Sequence, residues 1–226
     1  MTLEYKNAFM NLMRKHVTDP ASRTKTLVTE TFTAGGVNNY VTLANSSIVY
    51  IDEVTINGQT KQLVRDYRIY FGKARTDPGK IFFTTTPTIG QTIVVKYYYG
   101  TNWIYFGYPQ VAAEMPRIGM MARDGQMVPA GFGDVEHFTY PTINVLPVIR
   151  SGVEYTVNGE VYSGERLIDF ITNEIRKAIV AIRRNAEMGY LITMNYNGDE
   201  QMTFEEQPDL IAKSIAVTGQ FQWNYP

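Results

Sequence analysis

Cysteine is absent from the 226 residues, which excludes disulfides and thiolate metal sites. Histidine is nearly absent: His16 and His137 stand in different segments, and neither has a second histidine at metal-ligand spacing. An excess of either charge is missing too. The formal balance of −1 gives no basic field to draw the chain onto nucleic acid, although a near-neutral wall would let DNA slide past it. No apolar run approaches the roughly 18–20 residues that cross a bilayer. The opening MTLEYKNAFM lacks the basic start, apolar middle and cleavage site of a signal peptide. These absences predict a soluble protein made and assembled in a cytoplasm, with no membrane partner. Walker, GxGxxG and GxSxG patterns are missing as well.

What is present is sheet. Between Ile48 and Tyr99 the runs IVYIDEVTING, RIYF, KIFFTTT and QTIVVKYYYG are β-branched and aromatic. Asn57-Gly58, Asp77-Pro78-Gly79 and Ile89-Gly90 punctuate them with the backbone conformations that tight strand connections need. Leu27 to Phe32 and Asn39 to Leu43 read as further strands on either side of Gly35-Gly36. Strand 92–98 alternates, with Ile93, Val95 and Tyr97 on one face. Val49, Tyr50 and Ile51 are apolar on both faces, so part of the sheet is expected to be covered twice. Aromatics make up 13% of the chain, with 16 Tyr, 11 Phe and 2 Trp, and such rings are enriched at interface cores as well as in strands. Tyr98 must point away from Tyr97 and Tyr99.

Residues 2–17 place Leu3, Phe9, Met10, Met13 and Val17 at loose helical spacing, with Arg14-Lys15-His16 late and Asp19-Pro20 as the stop. Either the β domain or a neighbouring subunit must cover that stripe. Residues 106–136 are rich in Pro, Gly and Met and show no period. Three readings stand: an arm laid over another surface, a loop covering its own domain, or a linker. Further on, HFTYPTINVLPVI reads as a strand, and Asn158-Gly159 centres a hairpin. A helix then starts at the N-cap Ser163 and stops at Gly189. Its stripe is Leu167, Ile168, Ile171, Ile175, Ala178, Ile179 and Ile182. Tyr190–Tyr196 and Ile211–Trp223 are the last strands. The segments VTINGQT and YTVNGEV share an Asn-Gly turn, by duplication or by convergence.

The expected fold class is therefore α+β: an N-terminal all-β domain, sandwich- or barrel-like, and a C-terminal antiparallel sheet packed on one long helix. The expected divisions are an N-terminal helix or arm (1–24), the β domain (25–105), the long loop or arm (106–136) and an α+β domain (137–226).

Chemistry is hard to place on this frame. Asp52 and Glu53 are strand neighbours facing opposite ways, so they cannot act as a pair on one substrate. Asp199-Glu200 follows Asn197-Gly198 in an expected turn, where solvated acids are ordinary, and Glu205-Glu206 adds no partner. Arg176, Lys177, Arg183 and Arg184 form either a solvated helix face or a charged rim toward a subunit. The expectation is no enzyme, no catalytic or metal-binding residue, and no cofactor.

Two stretches resemble structural proteins of tailed bacteriophages. The β domain resembles a recurrent virion pattern in Ile56-Asn57-Gly58, Asp66-Tyr67, Lys80-Ile81-Phe82-Phe83, Pro87, Gly90 and IVVKYYY. The C-terminal half resembles tail-terminator and neck proteins in Pro141-Thr142-Ile143-Asn144-Val145, the helix over 163–186 and the ending SIAVTGQFQWNYP. Terminators are usually smaller and lack so large an N-terminal β domain. The resemblance implies a virion protein of the head–tail junction, a tail terminator or neck-completion subunit. It also implies a homo-oligomeric ring, often sixfold, that touches the head connector or stopper and the tail tube or sheath, with DNA passing through unread. The interface residues expected from arm and terminus are Met115, Met120, Met121, Met127, Phe132, Phe221, Trp223 and Tyr225. The alternative is a fibre or baseplate adhesin whose exposed Tyr and Trp stack on sugars.

Overall fold

The computed structural model describes residues 2–72, 76–107, 114–129, 136–205 and 207–224. It is mostly strand, with two helices and several sheets, none of them closed, so the class is mixed α+β and the barrel form of the expectation falls away. The chain divides into two compact units. The first comprises Met1–Lys15, Arg23–Asn102 and Glu187–Gly189, and the second comprises His16–Ser22, Trp103–Ala186 and Tyr190–Pro226.

The first unit holds helix α1 (Thr2–His16) and strands β1 (Lys25–Thr33), β2 (Tyr40–Ser46), β3 (Ile48–Ile56), β4 (Gln59–Thr60), β5 (Tyr67–Tyr70), β6 (Pro78–Phe83) and β7 (Thr92–Gly100). They form a four-stranded sheet ordered β1-β7-β3-β4 and a three-stranded sheet ordered β2-β6-β5. Asn57 and Gly58 close the β3–β4 hairpin with φ of 50° and 75°, the left-handed pair that two-residue connections require. On β7 the expected alternation holds: Ile93, Val95 and Tyr97 are buried while Val94 and Lys96 are half-buried. The two sheets are tied by polar contacts. The Tyr97 hydroxyl donates to Glu30 of β1 and accepts 2.8 Å from Asn45 Nδ2, and the same Glu30 carboxylate accepts the Ala44 N–H at 3.0 Å. Burial, then the Glu30 carboxylate, pushes the Tyr97 hydroxyl up to about 12.

Ile48, Val49, Tyr50 and Ile51 are all buried, as two-sided apolarity predicted, and the second cover is α1. The covering face is polar in part. Asn7, Asn11, Arg14 and Lys15 follow one another at helical i, i+4, i+7, i+8 spacing. Asn7 Nδ2 donates to the Ile69 carbonyl of β5 at 2.9 Å. Asn11 accepts from the Ile51 N–H at 2.7 Å and donates to the Ile51 carbonyl at 2.9 Å. Arg14 donates to the carbonyls of Ile48 and Val49, and its guanidinium lies 4.9 Å from the Phe71 ring centroid. Lys15 pairs with Asp52 at 3.1 Å. The helix thus serves the edge of β3 where no strand does, which decides for the β domain as the partner of α1.

The second unit holds β8 (Ile104–Phe106), β9 (Arg117–Pro129), β10 (Glu136–Arg150), β11 (Glu154–Val157), β12 (Glu160–Ser163), α2 (Gly164–Arg184), β13 (Leu191–Met202) and β14 (Leu210–Asn224). The main sheet runs β13-β14-β10-β9-β8, and β11-β12 forms a separate hairpin. Every pairing in the main sheet is antiparallel except β8 on β9, which is parallel, so the sheet is mixed rather than purely antiparallel. Among the described residues of the period-free region 106–136, β9 supplies thirteen residues of the sheet, with a bulge where Tyr140 and Thr142 pair to it. Gly119 and the adjacent Met120-Met121 mask its alternation in the sequence, because methionine packs on either face of a strand.

Helix α2 buries the predicted stripe, Leu167, Ile168, Ile171, Ile175, Ala178, Ile179 and Ile182, together with Thr172 and Glu174. Its ends differ from expectation. Ser163 occupies the N-cap position, but its side chain makes no capping bond. The helix stops at Arg184, and the left-handed residue beyond it is Ala186, at φ 47°, rather than Gly189. Gly189 has another task in the first unit. Its N–H donates to the Leu63 carbonyl at 2.8 Å, and a Cβ there would stand 2.5 Å from Arg65 Cβ and 2.9 Å from Arg65 N.

Two substitutions test this account by urea unfolding. Asn11→Ala leaves both polar groups of Ile51 buried and unmatched, and should cost about 2–5 kcal/mol. Gly189→Ala forces backbone apart from backbone and should also destabilise, whereas Gly152→Ala, with nothing near its position, should be close to neutral.

Candidate functional site

The main sheet of the second unit has two unlike faces. Pairing keeps opposed residues on one side, so Ile143 with Val217 and Val145 with Ile215 and Met120 form the face under α2. These five are buried. On that face β13 adds Tyr196 and Asp199, and β14 adds Lys213. Arg176 of α2 donates to the Tyr196 hydroxyl at 2.7 Å and to Asp199, and its guanidinium sits 4.6 Å from the Tyr196 ring centroid. The Tyr196 hydroxyl also donates to Asp199. Lys213 bridges Asp169 of the helix at 2.7 Å and Asp199 at 3.2 Å.

The segment expected to be a turn is therefore a bulge. Register shifts between Tyr196 and Asp199, strand β13 continues through it, and Gly198 takes φ 119°. The bulge turns Asp199 toward α2, where its side chain is 17% exposed, instead of leaving it in solvent. The basic group expected on the helix divides accordingly: Arg176 joins the sheet, Lys177 pairs with Glu174 at 2.7 Å, and Arg183 and Arg184 are exposed.

The opposite face is different. At one end Met115, Leu146, Val148, Leu210 and Ala212 make a small apolar cluster with Met202 and Phe204 against it. The rest carries mainly hydroxyls and amides: Thr142 pairs with Thr218 and Thr218 with Asn195, while Asn144 lies opposite Ala216 and Met121. Asn197 Nδ2 donates to Thr218 Oγ1 at 3.0 Å, and Gln220 Nε2 donates to the Tyr140 hydroxyl at 3.3 Å. The charges in register on that face are Arg123 opposite Thr142, Arg117 opposite Val148, Arg150 opposite Leu210 and Glu200 opposite Ser214.

The expected interface residues separate on this frame. Met115, Met120 and Phe221 are at most 6% exposed and belong to the unit's own interior, so no partner can reach them in this conformation. The strand period puts Met120 and Phe221 on the helix side, and the Met115 carbonyl accepts the Tyr155 hydroxyl at 2.6 Å. Met121 is half-buried on the open face. Met127 pairs with Thr139, and Trp223 with His137, with their side chains outside the description. Phe132 and Tyr225 lie outside the described residues. Sequence reasoning missed Ile192, on edge strand β13, which is 47% exposed. The signal was an isoleucine beside Tyr190 in a strand that also had to bury Met194.

In the first unit a hollow of ≈ 220 Å³ lies between α1 and β3–β4, lined by Lys15, Asp52, Glu53, Lys61 and Glu187 over Tyr67. Burial, then Asp52, Asp66, Glu187 and Glu53, pushes the Tyr67 hydroxyl far up. Lys15 pairs with Asp52 and Lys96 with Glu53, so these two acids at the hollow are neutralised locally. Among the described residues no group of three or more His, Asp or Glu could hold a metal ion, and no helix is long and apolar enough to cross a membrane. No protein-family model matches the chain, and no curated protein matches it.

The carboxylates on α2 and β13 link stability to pH. The Tyr196 hydroxyl, helped by Lys213 and Arg176, outweighs burial and holds Asp199 below the ordinary carboxylate range. At Glu174 burial pushes upward, but the Lys177 ammonium and the Thr18 hydroxyl prevail and hold it low. A carboxyl lowered on folding stabilises the fold fully above its unfolded value of about 4, and loses that contribution as pH falls through the folded value. Urea unfolding across acidic pH should therefore show stability falling below about pH 4. Asp199→Asn should be less stable at neutral pH and show a shallower fall. A variant with the full wild-type slope would refute the assignment.

Proposed function

We propose that this chain is a structural virion protein, one subunit of a homo-oligomeric ring at the head–tail junction of a tailed bacteriophage, of the tail-terminator or neck-completion kind. The finer architecture that goes with this reading is a two-sheet sandwich in the first unit and, in the second, a long sheet backed by α2. The observation that carries it is the contrast between the sheet's two faces. Charge is drawn to the helix side and neutralised there, in the Arg176–Asp199–Lys213–Asp169 network. The open side offers Thr142, Asn144, Asn195 and Thr218, with Arg123 in register opposite Thr142 as the charge among them.

A wall mainly of amides and hydroxyls, with scattered rather than massed charge, suits a passage for DNA. A dense field of cations would hold phosphates through counterion release, and a field of acids would repel them. Ring closure needs lateral contacts, and β13 is an edge strand with Ile192 exposed on it. An uncovered edge is a template for pairing with another chain. The role is assembly rather than turnover: pre-shaped surfaces end tube growth and dock the head connector or stopper on one side and the tail on the other.

Solution mass with negative-stain imaging of the purified chain tests the reading. A closed ring with a central hole wide enough for duplex DNA is expected, and Ile192→Asp should shift it to folded monomers. A trimer without a channel, or a ring indifferent to Ile192→Asp, would count against it.

A further inference from the structure

The outer face of the β2-β6-β5 sheet has a composition the ring reading does not use. Register places Tyr40, Phe82 and Arg68 in one row and Thr42, Lys80 and Tyr70 in the next. Buried Ile69, Ile81 and Phe83 alternate with them. The Tyr40 and Phe82 rings lie 5.5 Å apart at 39°, and Lys80 Nζ stands 5.2 Å from the Tyr40 centroid. Beside them opens a hollow of ≈ 260 Å³ lined by Phe82, Tyr70, Arg68, Asn7, Asn39, Ile69 and Phe83. No acidic side chain lines it among the described residues.

We infer that this hollow binds an acidic saccharide, with one sugar ring seated on Phe82 and Tyr70 and its carboxylate against Arg68. A pyranose has an apolar C–H face that packs on aromatic carbon and a rim of hydroxyls that need amides. Phe82 and Tyr70 supply the first and Asn7 and Asn39 the second. Asn7 is held in one orientation by its 2.9 Å bond to the Ile69 carbonyl. A guanidinium matches a carboxylate with two parallel hydrogen bonds. The volume lies just below the roughly 300 Å³ at which pockets for drug-sized ligands begin, which suits a single ring.

The same side chains could stack nucleobases, but two features disfavour this. The 39° tilt makes the Tyr40–Phe82 surface a notch rather than a flat platform. A chain with a formal charge of −1 also lacks the cations that neutralise a phosphate backbone.

Isothermal titration of the full chain tests the inference with a galacturonic acid trimer, sialyllactose, neutral maltotriose and a short oligothymidylate. At least one acidic saccharide should bind, and more tightly than maltotriose. Phe82→Ala should weaken that binding about tenfold or more. Arg68→Gln should do the same for the acidic ligand while leaving maltotriose unchanged. Arg68 is exposed, so this variant keeps the test valid even if Phe82→Ala fails to fold. Silence from both acidic saccharides, an unaffected Arg68→Gln, or tighter binding of the oligothymidylate would overturn the proposal.

Discussion

A strand that runs past its last neighbour leaves N–H and C=O groups in a place water cannot reach, and something else must meet them. In the first unit that strand is β3. It pairs with β4 only at Thr55 and Ile56, so Ile48 through Asp52 have one strand neighbour, β7, and a bare second edge. Helix α1 answers with side chains, Asn11 on both groups of Ile51 and Arg14 on the carbonyls of Ile48 and Val49. Buried backbone groups are almost never left unmatched, and so the placement of α1 determines much else. It carries Phe9 and Met13 into the interior and holds Asn7 at the rim of the aromatic hollow.

This constraint explains what the sequence could and could not disclose. The apolar stripe of α1 was readable from Phe9, Met10 and Met13, because burial writes a period into hydrophobicity. Asn11 was not, since an asparagine facing a strand edge looks like any polar helix residue until the edge is known. Helix α2 was legible almost residue by residue, for its whole stripe meets one sheet. The misreadings fall where local chemistry had two outlets. Asn197-Gly198 has the composition of a hairpin turn and serves as a bulge. Met120 and Phe221 are hydrophobic enough for an interface and equally suited to a core. Gly189 looked like a helix terminator, and it is glycine because Arg65 comes too close for anything larger.

The two units use polarity in opposite ways. In the second, an ionic network on the helix side of the sheet binds α2 to β13 and β14, while the other side mixes amides and hydroxyls with Arg123 opposite Thr142. In the first, the outer face of the three-stranded sheet mixes rings with cations.

Neither unit is one continuous stretch of chain. The first is completed by Glu187–Gly189, which arrive only after all of β9, β10 and α2 have been made. At roughly 5–20 residues per second, on the order of ten seconds of synthesis separate Asn102 from the glycine that bonds to Leu63. The β domain therefore emerges from the ribosome with a gap in it, and its last piece follows only when most of the other unit has been translated. A chain cut after Asn102 would isolate most of the first unit and still lack its closing segment.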